Sequence, residues 1–474
     1  MTNYQVQQAS PQNTSLIMND ELMIGRLKLK NRLLRSSISG RIDNYDGSGT
    51  PARVNFEERF ARGGVAAIIS SHVPISPHAR VLPNYAMIDR DERIDFWKSV
   101  GKRVHRHDCH FILQLSHSGR QQDIGGVENW GSVPWGATNR PDYFNGLPSQ
   151  SMTVAQIREV VQMFARAAER VAKAGLDGIE LHSANGYLFT QFLSSAINDR
   201  TDEFGGPLEN RYRFLREVIE AIQKAVGRDF PLIVKVTGHD YHSAASFLPR
   251  GQGNGIEEAI QISKWVEEAG VHAIHVSTGN MFPHPMNPAG PLPTEVAKRT
   301  YQAVISSGRR TFLNFLAFRY ALTRPLAKSL WRKSQPFNKP DGTVDPERLE
   351  GFAAADARAI KQAVKIPVLL TGGFQTAHGI AKALLDSCDA VTIARPLLAN
   401  PNLPLDLKDG WDGPVNEPCT YCNKCLLHVI ENPLGCYEES RFANRGGREA
   451  MLQEVFEIFK DYQDCKDNQE DSRE

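Results

Sequence analysis

Eight short apolar runs, separated by stretches with helical periodicity, constrain the fold of this chain more than any other feature. Runs of this length are typical of buried parallel strands, and most of these end in polar residues or glycine. A series of eight β–α units predicts an α/β protein with a (β/α)8 TIM-barrel fold. A doubly wound sheet is the rival fold, but it needs no eighth unit, and no GxGxxG motif opens an early helix. The runs are residues 33–38, 65–69, 111–113, 178–181, 232–234, 273–276, 368–370 and 390–393.

Helices are predicted on both sides of the fourth run. Thr153 and Gln156 have the spacing of a capping box, and an apolar face with helical period follows them up to Val171. A second helix is predicted over 208–226. Helix, strand, polar loop and helix make one unit of an α/β protein, and a barrel carries its chemistry on the loop after the strand.

Composition excludes several classes of function. The net charge of +1 argues against a nucleic-acid-binding protein. No stretch approaches the roughly 18 uninterrupted apolar residues of a membrane span, and the first twenty residues are polar, without the apolar core of a secretory signal. We therefore expect a cytoplasmic protein with no transmembrane segment, and its oligomeric state, homo-oligomer included, stays open.

The chain divides by composition into four segments. Residues 1–20 are expected to form a flexible tail, 21–405 the barrel, 406–448 a cysteine-rich extension and 449–474 an acidic tail. About ninety residues separate the sixth and seventh runs, so the barrel should carry a long insertion there.

Part of this insertion, 309–333, is both basic and apolar. Two interpretations are open for it: a surface helix that lies on a membrane or a partner, or an extra helix packed over the mouth of the barrel. Pro325 should interrupt a single long helix in either case.

The fourth run ends in a cluster of hydrogen-bonding side chains. His182, Asn185 and Tyr187 fall within six residues of one strand end, where the active face of a barrel is built. The seventh and eighth runs end in Gly372-Gly373 and Ala394-Arg395. Glycine lets backbone N–H groups approach a ligand closely and arginine adds a fixed cation, so these two ends fit a phosphate.

Four cysteines crowd into a short segment near the C-terminus. Their spacing is C-x2-C-x2-C-x10-C, at Cys419, Cys422, Cys425 and Cys436. In a reducing compartment such a cluster indicates a metal rather than disulfides. Thiolates are soft ligands that select zinc or an iron–sulfur cluster, and the spacing leaves both open.

The sequence HSANGYLFTQFLSSAINDRTDEFGGPLENRYRF, which begins at His182, resembles the signature of the Old Yellow Enzyme family. LKNRLL, FILQLSHSGR, TGG and IAR match the family in the same order, so the resemblance covers about residues 20–405. It implies an FMN-bound barrel that takes hydride from NAD(P)H onto flavin N5. The hydride then goes to an activated alkene or a similar electron-poor small molecule.

The resemblance also implies roles for the residues of the fourth strand end. His182 and Asn185 would donate hydrogen bonds to a carbonyl or nitro oxygen of the substrate and so stabilise the charge that develops as hydride arrives. Tyr187 would give a proton to the α-carbon.

Further residues are implied as flavin contacts. Gln114 would hydrogen-bond the flavin pyrimidine, and Lys235, where the family usually has arginine, would stabilise the reduced flavin as a point charge without a bidentate fork. Ser37 and Ser39 would lie near flavin N5 and O4. Gly372, Gly373, Ala394 and Arg395 would hold the phosphate.

The cysteine segment is similar to that of the 2,4-dienoyl-CoA reductase and trimethylamine dehydrogenase branch, which implies a [4Fe-4S] cluster, with zinc as the alternative. Such a cluster would need a separate electron-transfer partner. Two rival functions stay open: a flavin dehydrogenase or demethylase that passes electrons to the cluster, and a flavin-free barrel that serves as a binding scaffold. Because the motifs lie in different units, Cys422→Ser should remove the metal and leave FMN bound.

Overall fold

The computed structural model describes residues 17–38, 40–122, 133–242, 253–341, 343–408 and 415–460. At its centre lies a parallel β-barrel whose strands are almost entirely buried, because one face of each strand meets the barrel interior and the other meets the surrounding helices. We label its strands β1 to β8: Leu33–Arg35, Ala67–Ile69, His110–Ser116, Gly178–Ser183, Leu232–Thr237, Ala273–Ser277, Val368–Thr371 and Ala390–Ile393.

The barrel is closed. Each strand pairs in parallel with the next along the chain, and β8 returns to pair with β1 through Thr392 opposite Leu34. This arrangement confirms the predicted (β/α)8 fold, and every strand overlaps a predicted apolar run. The helices packed around the barrel are Pro51–Arg62, Ile94–His105, Val154–Lys173, Leu208–Val226, Ile256–Glu268, Ala354–Lys361 and Ala377–Asp386.

The helix Val154–Lys173 begins as its sequence predicts. The Thr153 hydroxyl accepts a hydrogen bond from the Gln156 backbone N–H, and the Gln156 side chain accepts one from the Thr153 N–H. These reciprocal bonds satisfy two N–H groups that lack partners within the helix. The helix then buries Ile157, Val160 and Phe164 against the barrel, so the predicted apolar face is the packed face.

An antiparallel hairpin at the N-terminus was not predicted. Its strands, Leu22–Ile24 and Leu27–Leu29, close one end of the barrel. Ile24, Leu27 and Leu29 are buried in one apolar cluster with barrel residues such as Leu34 and Ile112. Strands of three residues are too short for the sequence pattern to separate them from an irregular tail.

The five strands β3 to β7 all extend further than their predicted apolar runs. β3 includes Gln114 and β5 includes Lys235, so both residues lie within strands rather than in the loops that follow. Both side chains are buried. Inside the barrel, Gln114 Nε2 and Lys235 Nζ both donate hydrogen bonds to Ser37 Oγ.

The described part of the insertion between β6 and β7 contains four α-helices, Thr294–Ala303, Arg309–Arg319, Arg324–Lys333 and Pro346–Leu349. The helix Arg309–Arg319 buries Phe315 and Phe318 in an apolar cluster with Val81, Leu82 and Tyr85, which lie at the open end of the barrel. Packing over the mouth is therefore confirmed for this helix. Pro325 lies in the first turn of the next helix, so the interruption is confirmed too.

The chain returns to the barrel after β8. Short helices at Arg395–Ala399, Leu403–Leu407 and Lys424–His428 precede a longer one, Arg448–Phe456. This last helix buries Met451 and Val455, and the Asn55 side chain donates a hydrogen bond to the Ile458 carbonyl at 3.0 Å. The described part of the acidic segment is thus packed and partly helical. Across the described residues, no helix has the length and apolarity that a membrane span requires.

Candidate active site

A cavity opens at the C-terminal ends of the barrel strands. It holds about 1380 Å³ of empty space, including open solvent at its mouth. Gly372 is absent from its described lining, and Ser39 lies outside the described residues. The predicted site residues that line it are Ser37, Gln114, His182, Asn185, Tyr187, Lys235, Gly373, Ala394 and Arg395.

Three of the residues predicted to contact a flavin meet on one wall of the cavity. Gln114 Nε2 donates a hydrogen bond to Ser37 Oγ at 2.8 Å, and Lys235 Nζ donates to the same oxygen at 3.4 Å. These residues come from β3, β5 and the segment after β1, so the closure of the barrel is what brings them together.

A buried polar network, which the sequence analysis missed, supports this wall from below. Gln114 Nε2 also donates to Glu180 Oε1 at 2.6 Å, and Glu180 Oε2 lies 2.6 Å from His275 Nδ1. His275 Nε2 continues to the hydroxyls of Thr371 and Thr392 at 2.7 and 2.8 Å. The network therefore links five strands inside the barrel and fixes the orientation of the Gln114 amide.

The electrostatics of this network keep charges at the cavity wall. Burial raises the pKa of Glu180, but His275, Lys235 and the hydrogen bonds to Glu180 outweigh burial and hold that pKa below its usual value. Burial lowers the pKa of Lys235, and the nearby Glu180 carboxylate opposes this shift. An ionised Glu180 is thus the counter-charge of the cation that faces the cavity.

His182 and Tyr187 form an aromatic pair that also lines the cavity. Their ring centroids lie 4.7 Å apart in an edge-to-face arrangement, and His72 packs against Tyr187 at 5.2 Å. Burial lowers the pKa of His182 and raises the pKa of Tyr187, so both side chains are neutral near pH 7. Within the described chain, the buried His182 Nδ1 has no hydrogen-bond partner, which leaves it available to a ligand.

The Asn185 side chain donates hydrogen bonds within the protein, whereas the sequence analysis predicted that it donates to a substrate. Its backbone is left-handed, with φ of +59°. Its Nδ2 donates to the Thr278 carbonyl and to Asn287 Oδ1, both at 3.2 Å. The side-chain amide has two N–H bonds, and both of them point toward the loop after β6. A substrate would have to compete with those acceptors for this donor.

The predicted phosphate end of the cavity is joined to the cysteine segment. The carbonyl oxygen of Gly373, whose φ is +71°, accepts a hydrogen bond from the Tyr421 hydroxyl at 2.6 Å. Arg395 Nη1 donates to the Ala289 carbonyl at 2.7 Å and also to Asn423 Oδ1. Tyr421 and Asn423 both lie between cysteines of the motif. The expectation that the two sites occupy separate units is therefore wrong, because the cysteine segment directly contacts Gly373 and Arg395, two of the residues predicted to hold the phosphate.

The four motif cysteines line one small cavity together with Arg395. Burial raises the pKa of Cys419 to about 12 and also raises the pKa of Cys422 and Cys425, so a metal would have to displace protons from these thiols. Across the described residues, no three His, Cys, Asp or Glu side chains are arranged to hold a metal ion. The donor chemistry suits a soft metal, and the metal itself stays a prediction.

A further part of the cavity lining is apolar and comes from three segments far apart in sequence. Motif analysis missed these residues, since no local pattern connects them. They are Val81, Leu82 and Tyr85 after β2, Phe282 and Met286 in the insertion, and Leu426, Val429 and Ile430 in the cysteine segment.

Comparison with known proteins gives consistent matches. The model of the NADH:flavin oxidoreductase / NADH oxidase family matches residues 20–307. The NADH oxidase of Thermoanaerobacter brockii is 29% identical over 437 residues, which are 89% of this chain and 57% of that protein. The NADPH dehydrogenase of Halalkalibacterium halodurans is 34% identical over 283 residues, which are 59% of this chain and 78% of that protein.

Among solved structures, 2-naphthoyl-CoA reductase in complex with 2-naphthoyl-CoA has a similar fold. The TM-score is 0.70 at 22% sequence identity, and the match covers 89% of this chain and 56% of that chain. The chain thus spans little more than half the length of this reductase and of the Thermoanaerobacter NADH oxidase.

Proposed function

The chain belongs to the NADH:flavin oxidoreductase / NADH oxidase family, the Old Yellow Enzyme family that its motifs predicted, and we propose that it is an FMN-dependent NAD(P)H oxidoreductase that reduces an activated C=C bond of an electron-poor small molecule. The observation that carries this proposal is the convergence of Ser37, Gln114, Lys235, His182 and Tyr187 on one cavity at the active face of the barrel.

The residues around the cavity suit FMN. Gln114 and Lys235 would hold its pyrimidine, and Gly373 and Arg395 its phosphate, since all four residues line the same cavity. Bound FMN would supply hydride transfer from the nicotinamide to the alkene. The fit is supported by the fixed Gln114 amide and by the buried Lys235 cation, which is worth more in a water-excluded site than in water.

His182 and Tyr187 have distinct tasks in this proposal. Neutral His182 donates a hydrogen bond to the carbonyl or nitro oxygen of the substrate and so stabilises negative charge there. Asn185 joins it when the substrate displaces the contacts to Thr278 and Asn287. Tyr187 keeps its proton because burial raises its pKa, and it delivers that proton to the α-carbon.

Cofactor analysis tests the proposal. The purified chain should release FMN on denaturation, and its visible spectrum should bleach with NADH or NADPH and recover when an activated alkene is added. FAD alone in the supernatant would contradict the FMN assignment. A colourless protein that takes up no FMN would instead favour the flavin-free scaffold.

A second candidate function is a flavin dehydrogenase or demethylase that passes electrons to a metal cluster and a separate partner. The observation that favours it is that Arg395 lines both the large cavity and the cysteine cavity. Cys419, Cys422, Cys425 and Cys436 would hold a [4Fe-4S] cluster, with structural zinc as the alternative. Iron, sulfide and zinc assays on anaerobically purified protein distinguish the two metals.

A further inference from the structure

The insertion carries an unusual concentration of exposed apolar side chains. We call the helices Arg309–Arg319 and Arg324–Lys333, with the turn between them, the insertion hairpin. The helix Arg324–Lys333 buries none of its residues. Leu322 is 89% exposed and Leu326 61% exposed, whereas leucine is normally among the most buried residue types. The exposed apolar side chains of the hairpin are Phe312, Leu313, Tyr320, Leu322, Leu326 and Leu330.

The same hairpin is strongly basic. Residues 309–333 contain seven Lys and Arg and no Asp or Glu, while the whole chain has a net charge of only +1. The rest of the chain is therefore net negative, and positive charge is concentrated on this surface. Within the described chain, Arg324 is the one of the seven that pairs with a carboxylate, that of Glu295.

The hairpin is attached to the wall of the active-site cavity. Phe315 and Phe318 pack in one apolar cluster with Val81, Leu82 and Tyr85, which line the cavity. The next helix is held by Trp331 Nε1, which donates to the Gly290 carbonyl at 3.1 Å. The exposed leucines are thus presented outward by helices whose inner sides are fixed at the barrel mouth.

We propose that the insertion hairpin docks the protein on the surface of a bilayer that contains anionic phospholipid. Exposed leucines and aromatic residues beside a dense set of cations are what an interfacial helix uses to enter the headgroup region. Juxtaposed cations are attracted to anionic lipid over about a Debye length. The short helices lie on the bilayer and do not cross it, in agreement with their lengths.

A bilayer fits this surface better than a second copy of the chain. Two hairpins packed face to face would bring seven positive charges against seven, and like charges across an interface oppose association. A bilayer offers complementary charge together with an apolar interior for the leucines.

Flotation of the full chain with vesicles tests the proposal. We expect it to float with vesicles of phosphatidylcholine plus phosphatidylglycerol, to float far less with phosphatidylcholine alone, and to be released by high salt. The double variant Lys328→Gln/Arg332→Gln should weaken binding about 25-fold, because each cation near the surface contributes about fivefold. The triple variant Leu322→Ser/Leu326→Ser/Leu330→Ser should weaken it by about tenfold or more.

Matched controls separate docking from general effects of surface substitution. Leu385 is 64% exposed, close to the 61% of Leu326, and lies on the helix Ala377–Asp386. Leu385→Ser should leave vesicle binding unchanged. Lys98 and Lys102 are exposed and four residues apart, as Lys328 and Arg332 are, and Lys98→Gln/Lys102→Gln should also leave it unchanged. Circular dichroism melting confirms that each variant is folded.

Three results would overturn the proposal. The first is failure of the unmodified chain to float with anionic vesicles. The second is a loss of specificity, seen either as equal binding to neutral vesicles or as equal losses in the hairpin and control variants. The third is concentration-dependent self-association without flotation that the leucine substitutions remove, which would assign the surface to a second copy of the chain.

Discussion

Tyr421→Phe should weaken FMN binding, although Tyr421 belongs to the cysteine segment. The side chain is 1% exposed, and its hydroxyl donates to the Gly373 carbonyl at 2.6 Å. Gly373 lines the cavity at the proposed phosphate end. Phenylalanine keeps the ring and its packing but removes the hydrogen bond to the Gly373 carbonyl oxygen. The substitution therefore tests whether the cysteine segment acts as part of the flavin site.

The size of the effect follows from the burial of this hydrogen bond. A buried acceptor left without its partner costs about 1–3 kcal/mol. If that free energy is lost mainly from the flavin-binding conformation of Gly373, the dissociation constant for FMN rises about 5- to 150-fold. Any part lost from the fold instead appears as a lower free energy of unfolding, so both quantities have to be measured.

Fluorescence titration of FMN into flavin-stripped protein gives the dissociation constant, and denaturant unfolding gives the stability. Tyr437→Phe is the matched control, since the Tyr437 hydroxyl donates to the Pro433 carbonyl at 2.7 Å within the same extension. The control should lose stability by a similar amount and keep its FMN affinity. Unchanged FMN affinity and stability in Tyr421→Phe, or equal loss of affinity in both variants, would refute the coupling.

Four further predictions concern the two proposed sites. Tyr187→Phe should slow alkene reduction about 10²–10⁴-fold, as expected for loss of a general acid, and leave flavin reduction by NAD(P)H nearly intact; equal losses in stopped-flow measurements of the two half-reactions would contradict this. Burial raises the pKa of Tyr187 above the usual 10.0, so its acid form persists to higher pH. The rate of alkene reduction in the unmodified enzyme should therefore not fall as pH rises to 10. A pH–rate profile that declines with a tyrosine-like midpoint would argue against burial of the donor. Lys235→Met should lower the flavin reduction potential, because it removes the cation near the reduced cofactor; a redox titration showing an unchanged potential would place the cation elsewhere. Cys422→Ser should lower both metal content and FMN affinity, because its neighbours Tyr421 and Asn423 contact Gly373 and Arg395, respectively. Metal loss with unchanged FMN affinity would instead indicate two independent sites.

The sequence predicted the barrel and most of its inward-facing site because both depend on local patterns. The alternation along β4 places Ile179 and Leu181 against the helices and puts His182 on the inner face. The same alternation puts Glu180 beside His182, so the period of two contained the signal for the buried network. That signal was overlooked because a single glutamate in an apolar run matches no motif.

Other parts of the site could not be predicted from the sequence. The bond from Tyr421 to Gly373 joins residues 48 positions apart, and it depends on where the extension folds back onto the barrel. The apolar wall combines loops after β2, the insertion and the cysteine segment. Contacts of this kind are set by tertiary packing, which leaves no period or spacing in any one of the segments.

An anaerobic flavin titration tests the central claim most directly. Flavin-stripped chain is mixed with FMN, the bound fraction is isolated, and NADH or NADPH is added, followed by an activated alkene such as 2-cyclohexenone. The account predicts stoichiometric FMN, loss of its visible absorbance on addition of the nicotinamide, and recovery of that absorbance as the alkene is consumed. A chain that binds no FMN, or binds FMN that neither nicotinamide reduces, would contradict it.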